Sequence, residues 1–436
     1  MIDYRRFRGA LACFFLSTCL ASGALADSDE CTDIDDASCA DGAAESRPAA
    51  ASLAGPEQVD NRLHIDSNQV TPLFPSDFAR GYFDWKERQA KENGFSIGGD
   101  YSTAYLNASE SLGEEDAFSG MYRLFGSWEL TGDGQGNSGA LVFKAEHRHA
   151  FGSNLAPGSL GFETGYVGLH LPPFSDQGGR LTNLYWRQRM KGGNLVFVGG
   201  FVDVTDYVDV YMLASPWTGF FNFSFSTGSA SIPVPNEGLG FALGGYLNDK
   251  LYMIGGIADL NSDPTVPFET FDSFFSDREH FKHFEIGWNS SRETAFLNNV
   301  HLTLWHVDEM EQAGNPDGWG WNASWSRALN ERWTGFIRGG YAKDGGSLLE
   351  TSVSAGLAWQ TTSGGNQLGI AFNWGQPNDS TWGPGLPSQK TLEMFYRIQV
   401  FKELAITPDV QYIRDPALNA NTSSMWVWGF RARLAF

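Results

Sequence analysis

The chain has 436 residues and a formal net charge of −21, a balance that excludes a nucleic-acid binder on electrostatic grounds. Two of its four cysteines, Cys13 and Cys19, lie near the start and the other two are Cys31 and Cys39, so thiol catalysis and cysteine metal sites are excluded from the body. After Phe95 no apolar run approaches the roughly 18 residues that a spanning helix needs, so membrane entry there requires a closed barrel.

Arg5, Arg6 and Arg8 precede an apolar stretch from Gly9 to Leu25, and Ala24-Leu25-Ala26 is a small-residue cleavage site. Residues 1–26 therefore read as a signal peptide for Sec export, with the mature chain starting at Asp27. Lipoprotein processing at Cys19 is the rival, but Thr18 stands where a lipobox wants Gly, Ala or Ser. Without the signal, which carries three Arg and one Asp, the charge is near −23. Residues 27–75 form an acidic, low-complexity segment, and up to about Gly55 it reads as a linker. An oxidising periplasm permits a disulfide between Cys31 and Cys39; two unpaired cysteines in a tail is the alternative.

A short helix is expected over 76–94, with Ser76 or Asp77 as cap, Phe78, Tyr82 and Trp85 at helical spacing, and Gly94 as terminator. From Phe95 the period changes to two. Trp319, Trp321, Ala323 and Trp325 alternate with Gly320, Asn322, Ser324 and Ser326, and Leu368, Ile370, Phe372 and Trp374 face away from Gly369, Ala371 and Asn373. Long polar or Gly/Pro-rich connections lie around 109–118, 205–235, 261–278, 308–317, 376–388 and 414–424. Short turns lie near 192–194, 248–250, 330–332 and 402–404. The last residues, Trp426 to Phe436, place Trp, Trp, Phe, Ala, Leu and Phe on one face and Val, Gly, Arg, Arg and Ala on the other. Aromatics at the ends of an apolar face, short turns alternating with long loops, and a terminal Phe predict residues 95–436 to be an all-β, transmembrane antiparallel barrel of about 16 (16–18) strands.

Several stretches resemble the carbohydrate-selective porins of the OprB family: Leu184-Tyr185-Trp186-Arg187-Gln188-Arg189, Val198-Gly199-Gly200-Phe201-Val202-Asp203, Gly219-Phe220-Phe221-Asn222-Phe223 and Pro235-Asn236-Glu237-Gly238-Leu239-Gly240. The run Glu393-Met394-Phe395-Tyr396-Arg397-Ile398-Gln399, the run from Thr407 to Pro416, and Phe83-Asp84-Trp85 through Phe95 continue the likeness over about 76–436. The acidic segment with Cys31 and Cys39 lies outside the family pattern, and Val-Gly-Gly-Phe stands where members often carry a basic residue after the first Gly. The resemblance implies a 16-stranded, monomeric outer-membrane barrel that passes glucose-like monosaccharides passively into the periplasm.

A sugar channel needs groups that replace water around hydroxyls and flat apolar faces for sugar rings. Strand parity points the following residues inward as pore lining: Arg123 and Glu129; Lys144, Glu146 and Arg148; Tyr185, Arg187 and Arg189; Glu393, Arg397 and Gln399; Asp409 and Gln411; Arg431 and Arg433. Phe220, Phe221, Phe223 and Phe225 fit barrel wall better than a rail on an inward-folding loop. Inward charges also line wide barrels without touching solute, paired across strands. No cofactor or metal is expected. A non-specific or ion-selective porin is the alternative function. An enzyme would have to be built on His147/His149, His280/His283 or His306/Asp308, and a strand points His280 and His283 to opposite faces. Expected partners are sugars, outer-membrane lipid and the barrel-assembly machinery reading Phe436.

Overall fold

Period-two alternation is stable over a long chain only where the two faces meet different media, and here it closes into a barrel. The computed structural model describes residues 54–67, 72–75, 79–152, 155–292, 295–311, 313–361 and 366–436. Its strands are β1 (Phe95–Ala108), β2 (Asp116–Gly132), β3 (Ser138–Ala150), β4 (Gly178–Met190), β5 (Leu195–Val202), β6 (Gly238–Tyr246), β7 (Leu251–Asp259) and β8 (His280–Asn289). They continue with β9 (Asn299–Val307), β10 (Gly318–Ala328), β11 (Trp333–Asp344), β12 (Leu349–Gln360), β13 (Gln367–Pro377), β14 (Gln389–Gln399), β15 (Leu404–Arg414) and β16 (Ser424–Ala435). Each pairs antiparallel with its sequence neighbours, and β1 pairs with β16, Tyr101 opposite Leu434, to close a sixteen-stranded barrel.

The outward face carries large apolar side chains in the open: Tyr122, Leu124 and Trp128 on β2, Ile337 on β11, Ile370 and Phe372 on β13, Trp426 and Trp428 on β16. Their in-between neighbours Arg123, Arg338, Asn373 and Val427 are buried and point inward. Among the described residues no helix is long and apolar enough to cross a membrane. Ile337, 58% exposed, tests this assignment of faces. Ile337→Arg should cost about 2–4 kcal/mol if the site lies near the bilayer midplane. The check is the denaturant midpoint of refolded barrel in lipid, where an unchanged midpoint would refute a lipid-facing position.

Among the described residues two helices precede the barrel: α1 (Val59–Ser67) and α2 (Arg80–Asn93). The helix expected over 76–94 is α2, starting at Arg80; Ser76, Asp77 and Phe78 lie outside the described residues. Gly94 ends it at φ 64°, a conformation open to glycine, and donates its amide to the Gln89 carbonyl before the chain enters β1. The segment VDNRLHIDS of α1 is too polar to signal a helix by periodicity, and its wall contacts fix it instead. The signal segment, Cys31 and Cys39 also lie outside the described residues.

Short turns alternate with longer loops except around β11, whose flanking connections, 329–332 and 345–348, are both short. Residues 203–237, between β5 and β6, answer the long connection expected over 205–235. Residues 151–177, between β3 and β4, form a second long loop that hydropathy alone did not separate from strand.

Candidate functional site: the barrel lumen

The loop 203–237 is too apolar to stand in water, and it folds into the lumen. Phe220, Phe221 and Phe225 are buried and Phe223 partly so, all four on this loop, which corrects their assignment to the barrel wall. Phe220 meets inward-facing Phe395 edge-on at 4.9 Å and packs with its ring tilted against Phe225 at 5.1 Å. Burial of each such ring contributes about 1.5–3 kcal/mol, enough to hold the loop inside only if its backbone and charges are satisfied too.

They are satisfied by the inward rows. Asp209, fully buried, is gripped by Arg338 of β11 and by His301 of β9 at 2.8 Å. Its own amide donates to Glu285 of β8 at 2.9 Å. Glu393 of β14 accepts from the amides of Phe221 (2.5 Å) and Asn222 (3.0 Å). Arg431 of β16 donates to the carbonyls of Pro216 (2.5 Å) and Gly219 (3.2 Å). Lys144 of β3 and Asn183 of β4 both donate to Asp206, at 3.2 Å and 2.8 Å. The loop is thus pinned to strands around most of the wall. At Gly340 of β11 it comes close to the wall, since a Cβ there would meet the Ser231 hydroxyl.

The segment before and within α1 supplies a second inward layer. Glu57 accepts from Arg62 and Arg123, each at 2.9 Å, and from Ser215 of the inward loop. Asp60 pairs with Arg187 and with Arg189 at 3.4 Å. Asp66 holds Arg433 through two bonds of 2.7 and 2.8 Å. On the wall, Asp100 of β1 braces Arg123 and Arg433. Arg123 also lies over the ring of Trp217, 4.2 Å from its centre. One constriction therefore joins β1, β2, β4, β16, the inward loop and α1.

Cavities lie on both sides of it. One on the loop end is lined by Glu146, Arg148, Arg180, Trp217 and Glu237. The other, on the turn end, is lined by Arg62, Arg189, Leu297, Gln367 and Arg397. Pro56 and Ser215 line both, so the partition is the segment entering α1 against the inward loop.

All fifteen residues expected to line the pore have inward parity, but they divide by use. Lys144, Glu393, Gln411 and Arg431 spend their polar groups on loops, Gln411 on His170 (2.9 Å) and Asn222 (3.0 Å). Asp409 accepts from Gln411 at 3.1 Å. Glu146 and Arg148 pair at 2.6 Å beside the loop-end cavity. Arg123, Tyr185, Arg187, Arg189 and Arg433 surround α1, with Gln58 donating to the Tyr185 hydroxyl at 3.4 Å. Arg397 and Gln399 lie towards the turn end, as does half-buried Glu129 near the end of β2. Glu57, Asp60, Asp66, Asp209 and Trp217 were not anticipated. The one signal in sequence is the acid spacing Asp203, Asp206, Asp209 inside a loop rich in Val, Tyr and Phe.

The enzyme candidates are placed as follows. His147 is exposed on the outward face, and His149 beside it contacts the Tyr101 hydroxyl at 3.2 Å. Asp308 is taken by Lys282 at 2.6 Å. Gly94-Phe95-Ser96-Ile97-Gly98 has the lettering of a Gly-x-Ser-x-Gly elbow, but it lies at the α2–β1 junction and runs on as strand, not as the strand–turn–helix that such a nucleophile needs. Among the described residues no group of three or more His, Cys, Asp or Glu side chains is arranged to hold a metal.

Burial opposes ionisation of Glu57, yet Arg62, Arg123 and the Ser215 hydroxyl together hold its carboxyl down at about 2. Asp66 is likewise buried and held below its usual value by Arg433 and Arg62. For a depressed carboxyl the stabilisation is complete above the ordinary value of 4.5 and disappears as pH falls through about 2. Conductance set by this contact should therefore stay constant from pH 8 to pH 5. A step to higher conductance on acidification within that range would contradict the assignment.

Residues 311–436 match the family model described as "Carbohydrate-selective porin, OprB family". The match covers the strands from β10 to β16 and, of the resembling stretches, the runs Glu393–Gln399 and Thr407–Pro416. The high-pH structure of Pseudomonas putida OprB superposes with a TM-score of 0.64 at 13% identity, covering 81% of this chain and 97% of that one. Its low-pH structure gives 0.49 at 12% identity (82% and 98% covered), and a mutant of Rh. blastica porin gives 0.48 at 12% (78% and 100%). At 13% identity the first likeness is one of fold: a closed, sixteen-stranded antiparallel barrel. No curated protein matches at a significant level.

Proposed function

We propose that the chain is a carbohydrate-selective porin of the Gram-negative outer membrane, passing glucose-like monosaccharides passively into the periplasm. The observation that carries this reading is the lining of the loop-end cavity. The ion pairs Arg148–Glu146 and Arg180–Glu237 stand there with the partly open face of Trp217. Paired donors and acceptors replace water around sugar hydroxyls, and an indole face accepts the apolar side of a sugar ring. Guanidinium and carboxylate groups already satisfied by each other hold such a solute weakly, which a conducting site requires. The family match over 311–436 supports the same reading.

In this reading the long loops face outside and the turns face the periplasm. The chain leaves the cytoplasm through the Sec pathway, Phe436 engages the barrel-assembly machinery, and the barrel works as a monomer. The test is flux into proteoliposomes. Glucose should enter several-fold faster than a non-sugar solute of the same size. Equal rates for both would make the protein a general porin.

A further inference from the structure

Three carboxylates of the α1 segment each occupy a different guanidinium station on the wall. Glu57 sits on Arg123, Asp60 on Arg187 and Arg189, and Asp66 on Arg433. Against these four wall cations the strands set Asp100, which braces Arg123 and Arg433, and Glu129 of β2, whose charge acts on Arg189. If α1 left the lumen, the stations would remain as a positively charged row in a confined channel. A neutral sugar cannot supply the charge that would be lost, whereas a carboxylate matches the planar guanidinium fork. Next to the Asp60 station lies a cavity lined by Tyr185, Val196, Val198, Ala242 and Ile254, a surface suited to the apolar side of a ring, and by Asp203 and Asp206, both paired with Lys144.

Resting on the porin reading above, we infer that this arginine row recognises monosaccharides bearing a carboxylate, and that the α1 carboxylates occupy the stations such solutes take. Solute and α1 then compete for the same guanidiniums. Binding of one favours release of the other, so an acidic sugar opens its own path while glucose does not. Glu57 and Asp66 stay ionised at neutral pH, so release depends on a competing anion and not on protonation.

The experiment uses the full chain in proteoliposomes and planar bilayers, with glucuronate and glucose as probes. Glucuronate should enter about tenfold faster than glucose, the ratio expected when one charge-assisted contact distinguishes them. In the Glu57→Gln, Asp60→Asn, Asp66→Asn triple variant, chloride permeability should rise over potassium and the glucuronate advantage should persist. Arg187→Gln with Arg189→Gln should abolish that advantage, read as the ratio of glucuronate to glucose entry. Equal entry of the two sugars into the unaltered protein would overturn the inference while leaving the sugar porin standing. An unchanged chloride preference in the triple variant would also overturn it. Passage of neither sugar through a channel that still conducts ions would overturn both readings. Heat-modifiable gel mobility identifies folded variants, and the flux ratio of the unaltered protein decides the matter even if a variant fails to fold.

Discussion

Deleting residues 56–67 should raise single-channel conductance several-fold. A helix with its side chains is about 10–12 Å across, comparable with what a sixteen-stranded lumen leaves once a loop has folded into it. Here the loop 203–237 already covers the wall from β3 round to β16, and Pro56 with Ser215 separates the two cavities. The deletion removes Pro56, Glu57 and α1 together, joining the cavities while every strand pairing is kept. Planar-bilayer recordings of the deleted and intact chains give the answer directly. Equal conductance would mean that α1 does not fill the channel in a membrane.

The second large effect is at Asp209. Its carboxylate meets Arg338 and His301 in a site where all three side chains are buried, and Asp209 itself sits at φ 51°. Asp209→Asn preserves the shape and tolerates this left-handed backbone, so the change isolates the charge. Removing one partner of a buried ion pair typically costs about 3–5 kcal/mol, because the other charge remains without compensation. The variant should unfold at lower denaturant concentration by that amount. Its inward loop should also come off the wall, exposing Phe220 and Phe225 to an apolar dye. A stability within 1 kcal/mol of the unaltered chain, with no dye binding, would show that Asp209 does not anchor the loop.

These predictions lie where sequence reasoning was weakest, and the cause is physical. On a strand, side-chain direction follows parity, so Arg123 and Arg338 could be placed inward, and Trp426 and Trp428 outward, from alternation alone. Parity gives direction but not partner. Whether Arg431 meets solute or the Pro216 carbonyl depends on a contact 215 residues away, and Glu393 is taken by amides more than 170 residues distant. The Phe-rich stretch 220–225 illustrates the same limit. Its hydrophobicity fits a lipid-facing wall and a lumen-filling loop equally well, and the inward Phe336 and Phe395 that receive Phe220 decide between them. In α1 the helix depends on Arg123, Arg187 and Arg433 for its place, so a local window of sequence carries little trace of it.

A lumen that filters sugars should show itself in single-channel current through reconstituted protein titrated with glucose. A sugar bound in the loop-end cavity displaces ions from the conduction path, so current should fall with glucose and saturate, and a size-matched non-sugar should leave it unchanged. Steady current that ignores every sugar would rule out a sugar filter and leave a general diffusion pore.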